Sequence, residues 1–169
     1  DPNEDGEATN VLDYNNGTYW HNDWKYSKKM PQYITFDLGK TYTLSDITFL
    51  PRTGNYANGD IFKANVYVGD SADNMKLVGT YVFDEAGNYL ANRDEWKRMM
   101  LDATGRYVKV EAVETGGDTG HDIFASMAEI RFYGTEPTEE PETPVVNKDA
   151  LAAAIAAAEA LSAEDYTEE

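Results

Sequence analysis

QYITFDLGKTYTLSDITFLPR, residues 32–52, is the stretch whose pattern decides the fold class. Ile34, Phe36 and Leu38 alternate with Tyr33, Thr35 and Asp37, and side chains two apart share one face of a β-strand. The Asp-Leu-Gly step at 37–39 reads as a turn, with LSDITFL (44–50) as a second strand after it. The same grammar recurs outward along the chain in FKANVYV (62–68), LVGTYVF (77–83), RYVKVEA (106–112) and AEIRFY (128–133). Ala64, Val66 and Val68 share a face, as do Val108 and Val110, then Ile130 and Phe132. Short strands separated by Gly, Asn and Asp, with no long helical period among them, predict an all-β domain built as an antiparallel β-sandwich or barrel.

The composition supplies the material for such a core. Of 169 residues, 41% are hydrophobic and 12% aromatic, enough for one well-buried domain of ordinary size. A net charge of −17 works against polyanion binding, which relies on clustered Lys and Arg, so nucleic acid is not an expected partner. Without cysteine, neither disulfides nor thiolate metal sites are available. No stretch approaches the roughly 18 apolar residues of a membrane span, and the acidic N-terminus lacks the form of a signal peptide. The start at Asp1 and the end at Glu169 lead us to expect one piece of a longer chain.

The composition changes at residues 135–146, TEPTEEPETPVV, where prolines interleave with glutamates. Proline favours polyproline II and the like charges extend the segment, which predicts a semi-rigid acidic linker. Beyond it, NKDALAAAIAAAEALSAEDY (147–166) predicts a helix, with Asn147 as N-cap, Asp149 in the first turn and Leu151, Ile155, Ala158 and Leu161 as a narrow apolar stripe. The expected organisation is a β-sandwich over 1–134, a linker over 135–146 and a truncated helical module over 147–169. One alanine-rich helix buries too little to stand alone.

Four stretches carry candidate chemistry. In GTYWHNDW (17–24), His21 and Trp24 offer a ring nitrogen and a flat apolar face within a turn-rich segment. A sugar needs both, a platform for its C–H patch and polar groups for its hydroxyls. On spacing alone the commoner reading is that Trp20 and Trp24 anchor a loop and the backbone satisfies His21. In LPRTGNYANGDI (50–61), Arg52 follows a strand end and Asn58 precedes Gly59, a pattern that by itself is an ordinary Asn-Gly turn with a solvated arginine. In GGDTGHDIFASMAEIRF (116–132), His121 and Phe124 precede the last strand, with Phe124 either a core plug or an exposed platform. In NVLDYNNGT (10–18), Asp13, Asn15 and Thr18 supply the hard oxygens that Ca²⁺ prefers, without EF-hand spacing and with an Asx-turn as the simpler reading.

Taken in order, these pieces resemble family 32 carbohydrate-binding modules, a branch of the discoidin or coagulation factor 5/8 type C domain family, over about residues 4–134. NVLDYNNGTYWHNDW (10–24) is similar to the family's Asn-x-x-Asp-x-Asn-x-x-Thr-x-Trp-His-x-x-Trp stretch. QYITFDLGKTYTLSDITFLPR, NGDIFKANVYVG, RYVKVEA and ASMAEIRFYG follow in the family's order and spacing. Two departures stand out: a short segment before Asn10, and Tyr14 where the family carries glycine.

The resemblance implies a jelly-roll-like sandwich of the galactose-binding-domain type with its ligand loops at one end, no catalytic residues, and a structural Ca²⁺. It implies ligand binding by His21, Trp24, Arg52, Asn58 and Phe124, with terminal galactose or N-acetylgalactosamine as the glycan. For the metal it implies Asp13, Thr18 and Glu129 side chains and backbone oxygens of Asn10, Asn15 and Ala128. NKDALAAAIAAAEALSAEDYTEE (147–169) resembles the first helix of a FIVAR module, a three-helix repeat of bacterial surface proteins. Together the resemblances imply a monomeric module of a secreted or cell-surface glycoside hydrolase or adhesin. Competing classes are an enzyme, which no nucleophile or metal-ligand motif supports, a protein- or phospholipid-binding discoidin module, and a structural spacer. Membrane binding calls for apolar spikes with basic rims, so no membrane partner is expected of so acidic a chain.

Overall fold

The computed structural model describes residues 6–23, 29–53, 58–83, 94–117, 122–137 and 148–160. Among them the chain runs through a 3-10 helix (Ala8–Leu12) and seven strands: β1 (Trp20–His21), β2 (Gln32–Leu50), β3 (Asp60–Ser71), β4 (Asn74–Val82), β5 (Lys97–Gly116), β6 (Ser126–Met127) and β7 (Glu129–Thr135). An α-helix, α1 (Asp149–Glu159), follows. One ladder has the order β4-β3-β5-β2-β7 and a short second one pairs β1 with β6, all antiparallel. Residues 1–137 form one unit and 138–169 another.

The structure departs from the expected turn at Asp37-Leu38-Gly39. Residues 32–50 are one strand, and both of its halves pair with β5: Ile34 lies opposite Val110 and Ile47 opposite Met99. Between them, Asp37↔Tyr107 is followed by Tyr42↔Gly105, so four residues of β2 face one of β5. The excess bends the strand without reversing it. Asp37 organises the bulge: its Oδ1 accepts the Gly39 N–H at 2.8 Å, and Arg106 grips both carboxylate oxygens at 2.6 and 2.7 Å. That guanidinium holds the Asp37 carboxyl well below the usual range. The pair therefore contributes stability above the ordinary carboxylate range, and this is lost only as pH falls into the strongly acid region.

A second irregularity, at Ser45, resets the side-chain phase. Strict alternation would place Leu44 and Ile47 on opposite faces, yet both are buried, because the register shifts between Leu44 and Asp46. The expected inward sets on the other strands hold: Ala64, Val66 and Val68 on β3 and Val108 and Val110 on β5 are buried. Phe36, from the first half of β2, meets Phe132 of β7 edge-on at 5.0 Å, and Phe49 meets Phe83 at 5.0 Å. Because the long strands fold over at their bulges, the sheet closes on itself as a β-sandwich around this core.

The same folding-over brings strand ends together. Ala128 N–H donates to Leu50 O at the end of β2, Ser126 N–H to Gly59 O before β3, and Gly59 N–H to Gly116 O at the end of β5. Three loops thus share one end of the sandwich.

The helix starts one residue later than expected. Lys148 flanks it without a side-chain cap, and Asn147 lies outside the described residues. No residue of α1 is buried, and Leu151 and Ile155 are half exposed. No described helix is long and apolar enough to cross a membrane.

Gly39 has φ 83° and no heavy atom within 4 Å of the position a Cβ would take. Gly39→Ala therefore probes left-handed backbone strain alone, and thermal unfolding is expected to show a loss of about 1 kcal/mol. Ligand affinity should be unchanged, since the bulge is far along the strand from the loop end.

Candidate functional site

The site is assembled by the two-residue ladder between β1 and β6. Trp20 pairs with Met127 and His21 with Ser126. Trp20, Met127 and Ala125 are buried, so the core side of this ladder is fixed by packing. Asn22, also buried, then clamps the neighbouring loop twice: its N–H donates to Ala125 O at 3.0 Å and its Oδ1 accepts the Ala125 N–H at 2.7 Å. From the other side Asp122, at φ 57°, exchanges two hydrogen bonds with Thr115 at the end of β5. Phe124 sits between these two anchors.

Phe124 packs against His21, ring centroids 5.3 Å apart and tilted by 43°. His21 is 4% exposed, and its Nδ1 lies 2.7 Å from Asn22 O. A carbonyl only accepts, so Nδ1 carries a proton, and in the neutral tautomer this leaves Nε2 as the acceptor. The structure thus grants part of the packing reading: Trp20 is a core residue, and the backbone holds one nitrogen of His21. Phe124, half-buried, is neither a sealed plug nor a fully open platform.

Asn58 joins the group through its backbone, whose carbonyl accepts the Ser126 hydroxyl at 2.8 Å. Gly59 makes this approach possible. Its φ is 89°, and a Cβ there would lie 2.7 Å from Ser126 N and 2.8 Å from Ala125 C. Arg52 is held by Tyr19, two residues before His21: its Nη2 donates to the Tyr19 hydroxyl at 2.8 Å, and its guanidinium carbon lies 3.8 Å from the ring centroid. His21, Arg52, Asn58 and Phe124 are therefore brought to one end of the fold, while Trp24 and His121 lie outside the described residues. Sequence reasoning missed Tyr19 and Asn22. No pattern flags either, because their roles depend on partners 33 and 103 positions away.

A second cluster lies alongside. Asn15 N–H donates to Asp13 Oδ1 at 2.8 Å and also to Glu129 Oε1 at 3.0 Å, so two carboxylates converge on one donor. The Thr18 hydroxyl bonds Asp13 Oδ2 at 2.7 Å and Asn15 O at 2.8 Å. Thr18 holds the Asp13 carboxyl below its ordinary range, whereas burial, with Asp13 beside it, pushes the Glu129 carboxyl up. A carboxylate 1% exposed and facing another is costly when both are ionised. Oxygens of this kind fit a hard divalent cation. Among the described residues no three His, Cys, Asp or Glu side chains gather at one point, so such an ion would rely on Asp13, Glu129, the Thr18 hydroxyl and carbonyls of Asn10, Asn15 and Ala128. The Asn10 side chain itself is turned to Tyr19 O at 3.1 Å. Tyr14, in the position where the resembled pattern has glycine, adopts φ 62° and is 84% exposed. The backbone thus retains the left-handed turn at a cost that glycine avoids.

The sequence pattern of the F5/8 type C domain matches residues 1–130. The chain belongs to the F5/8 type C domain family. Within that family it is homologous to family 32 carbohydrate-binding modules, which are non-catalytic. The F5/8 type C domain here is 32% identical to a family 32 module of a family 31 glycoside hydrolase from Clostridium perfringens, with a TM-score of 0.71 over 78% of this chain and 85% of that one. It is 28% identical to the Clostridium perfringens module CpGH89CBM32-5, solved with GalNAc-β-1,3-galactose, with a TM-score of 0.64 over 76% and 84% of the two chains. Among curated proteins, an A type blood N-acetyl-α-D-galactosamine deacetylase from Flavonifractor plautii is 30% identical across 86% of this chain. The match spans only 18% of that relative's length.

Gly59→Ala should be far more damaging than Gly39→Ala, because the added methyl meets backbone on the facing loop. We expect a loss of about 2 kcal/mol or more in urea unfolding, from overpacking added to strain. Broadened or displaced amide signals should be confined to residues 58–60 and 122–127.

Proposed function

We propose that this carbohydrate-binding module recognises terminal galactose or N-acetylgalactosamine on host or dietary glycans, as an anchor for a larger secreted or cell-surface glycoside hydrolase or adhesin. The observation that carries this reading is the His21–Phe124 contact with the Tyr19-held Arg52 at the same end of the sandwich: an apolar ring face, an imidazole and a cationic donor on neighbouring loops. A galacto-configured sugar has an axial O4, which leaves one face of C–H groups to lie on an aromatic ring. The O3 and O4 hydroxyls can then donate to His21 Nε2 and accept from Arg52, with Asn58 as a further polar contact. The GalNAc-containing ligand of the similar Clostridium perfringens module supports the same ligand class.

A site with few buried atoms binds weakly, and we expect a Kd of roughly 10 µM to 1 mM for monosaccharides. As a monomer on an acidic linker, the module gains retention through the effective concentration supplied by neighbouring modules. Ca²⁺ held by Asp13 and Glu129 would stiffen the 10–19 segment without touching the sugar.

Two measurements check this. Calorimetry should show saturable binding of galactose and N-acetylgalactosamine that is stronger than N-acetylglucosamine binding, and Arg52→Ala should weaken it at least tenfold, as the loss of a charged hydrogen bond implies. No binding of any of the three sugars by folded protein would sink the proposal. Ca²⁺ at neutral pH should raise Tm, and the gain should shrink in Glu129→Gln. It should also fade as pH falls, because the upward-shifted Glu129 takes a proton before an ordinary carboxylate does and so competes with the ion.

A further inference from the structure

We infer that Tyr19 is a positioning residue for Arg52, and through it tunes how sharply this site separates galacto- from gluco-configured sugars. The inference rests on the sugar-site reading above. Tyr19 falls at an open position of the motif, Thr-x-Trp-His, so nothing about the motif requires a phenol there. In this chain the phenol makes two distinct contacts with one guanidinium, the ring-face contact at 3.8 Å and the hydrogen bond to its hydroxyl at 2.8 Å. Arginine has high rotamer entropy, and a planar partner that fixes it beforehand removes much of the ordering cost that ligand binding would otherwise carry.

Tyr19 is itself well placed to serve as a fixed support. Its carbonyl accepts from Asn10 Nδ2 at 3.1 Å, and the next residue, Trp20, is locked into the core. The Arg52 loop is tied to the same segment a second time, since the Thr53 hydroxyl donates to Asn16 O at 2.8 Å. The 10–19 segment thus acts as a rigid back wall for Arg52–Thr53. Epimers at C4 differ only in the direction of one hydroxyl, so discrimination between them depends on a donor held in a single orientation. An arginine without the Tyr19 ring and hydroxyl is held less tightly in that orientation.

The test uses Tyr19→Phe and Tyr19→Leu in otherwise unchanged protein. The first readout needs no sugar. In ¹H–¹⁵N spectra the Arg52 Nε–H signal should be displaced by the Tyr19 ring current, stay near that position in Tyr19→Phe, and lose the displacement in Tyr19→Leu. The second readout is affinity for galactose and glucose. Tyr19→Phe should weaken galactose binding several-fold and Tyr19→Leu by about tenfold, with the galactose-to-glucose ratio narrowing in step. In an Arg52→Ala background Tyr19→Leu should change nothing further. An Arg52 signal that stays put in Tyr19→Leu, or an equal loss with and without Arg52, would reduce Tyr19 to a packing residue and overturn the inference. Wild-type protein that binds neither sugar would remove the sugar reading and the specificity role with it, while the Arg52 signal would still decide the positioning role.

Discussion

Everything in the sandwich depends on the antiparallel ladder between β2 and β5. Two strands of 19 and 20 residues are longer than one flat layer of a small domain can use, and they serve both layers because each bends where the register slips. The bend is held by the local bond from Gly39 N–H to Asp37 and by Arg106, 69 positions away, locking onto Asp37 from the facing strand. With that bend in place, Phe36 can reach Phe132 across the core, and the ends of β2 and β5 return to the same end of the molecule. That return, together with the β1–β6 ladder, makes neighbours of the loops that carry His21, Arg52, Asn58 and Phe124.

The ligand end is built by close backbone approach more than by side-chain packing. Gly59 lets the Asn58 loop lie directly against Ala125–Ser126, and the Asn22 amide fixes that same loop to β1. The outcome is a shallow cluster on a stiff base, which suits a module that binds sugar without turning it over. Nothing in such a site has to move. Asp13 lies in the 10–19 segment that also supports Tyr19, and Glu129 reaches the Asn15 N–H of the same segment from β7.

Much of this was legible in the sequence. The inward-facing sets on β3, β5 and β7 follow from period-two alternation, and the all-β class follows from their number. What misled was the Asp-Leu-Gly step: its residues have turn chemistry, but whether such a step reverses a strand or merely bends it is decided by which strand lies opposite, and no local pattern encodes that. The same limit explains the buried pair Leu44 and Ile47, whose spacing makes sense only once the bulge at Ser45 is known. At the site, the motif led to His21, Arg52, Asn58 and Phe124, whereas Tyr19 and Asn22 stayed hidden because their importance arises from partners far away in the chain. The degree to which His21 is enclosed was likewise invisible, since it depends on Phe124 and the Asn22 carbonyl closing over the ring.

The central claim is that one end of this sandwich is a galactose-type sugar site, and the most direct measurement is an amide chemical-shift map during titration with N-acetylgalactosamine. Perturbations that saturate together and cluster at His21, Asn22, Arg52, Thr53, Asn58, Gly59, Phe124 and Ala125 are the predicted result. Perturbations centred instead on the strand surface where Lys109 lies over the Tyr33 and Tyr67 rings, or none at all at millimolar sugar, would contradict it.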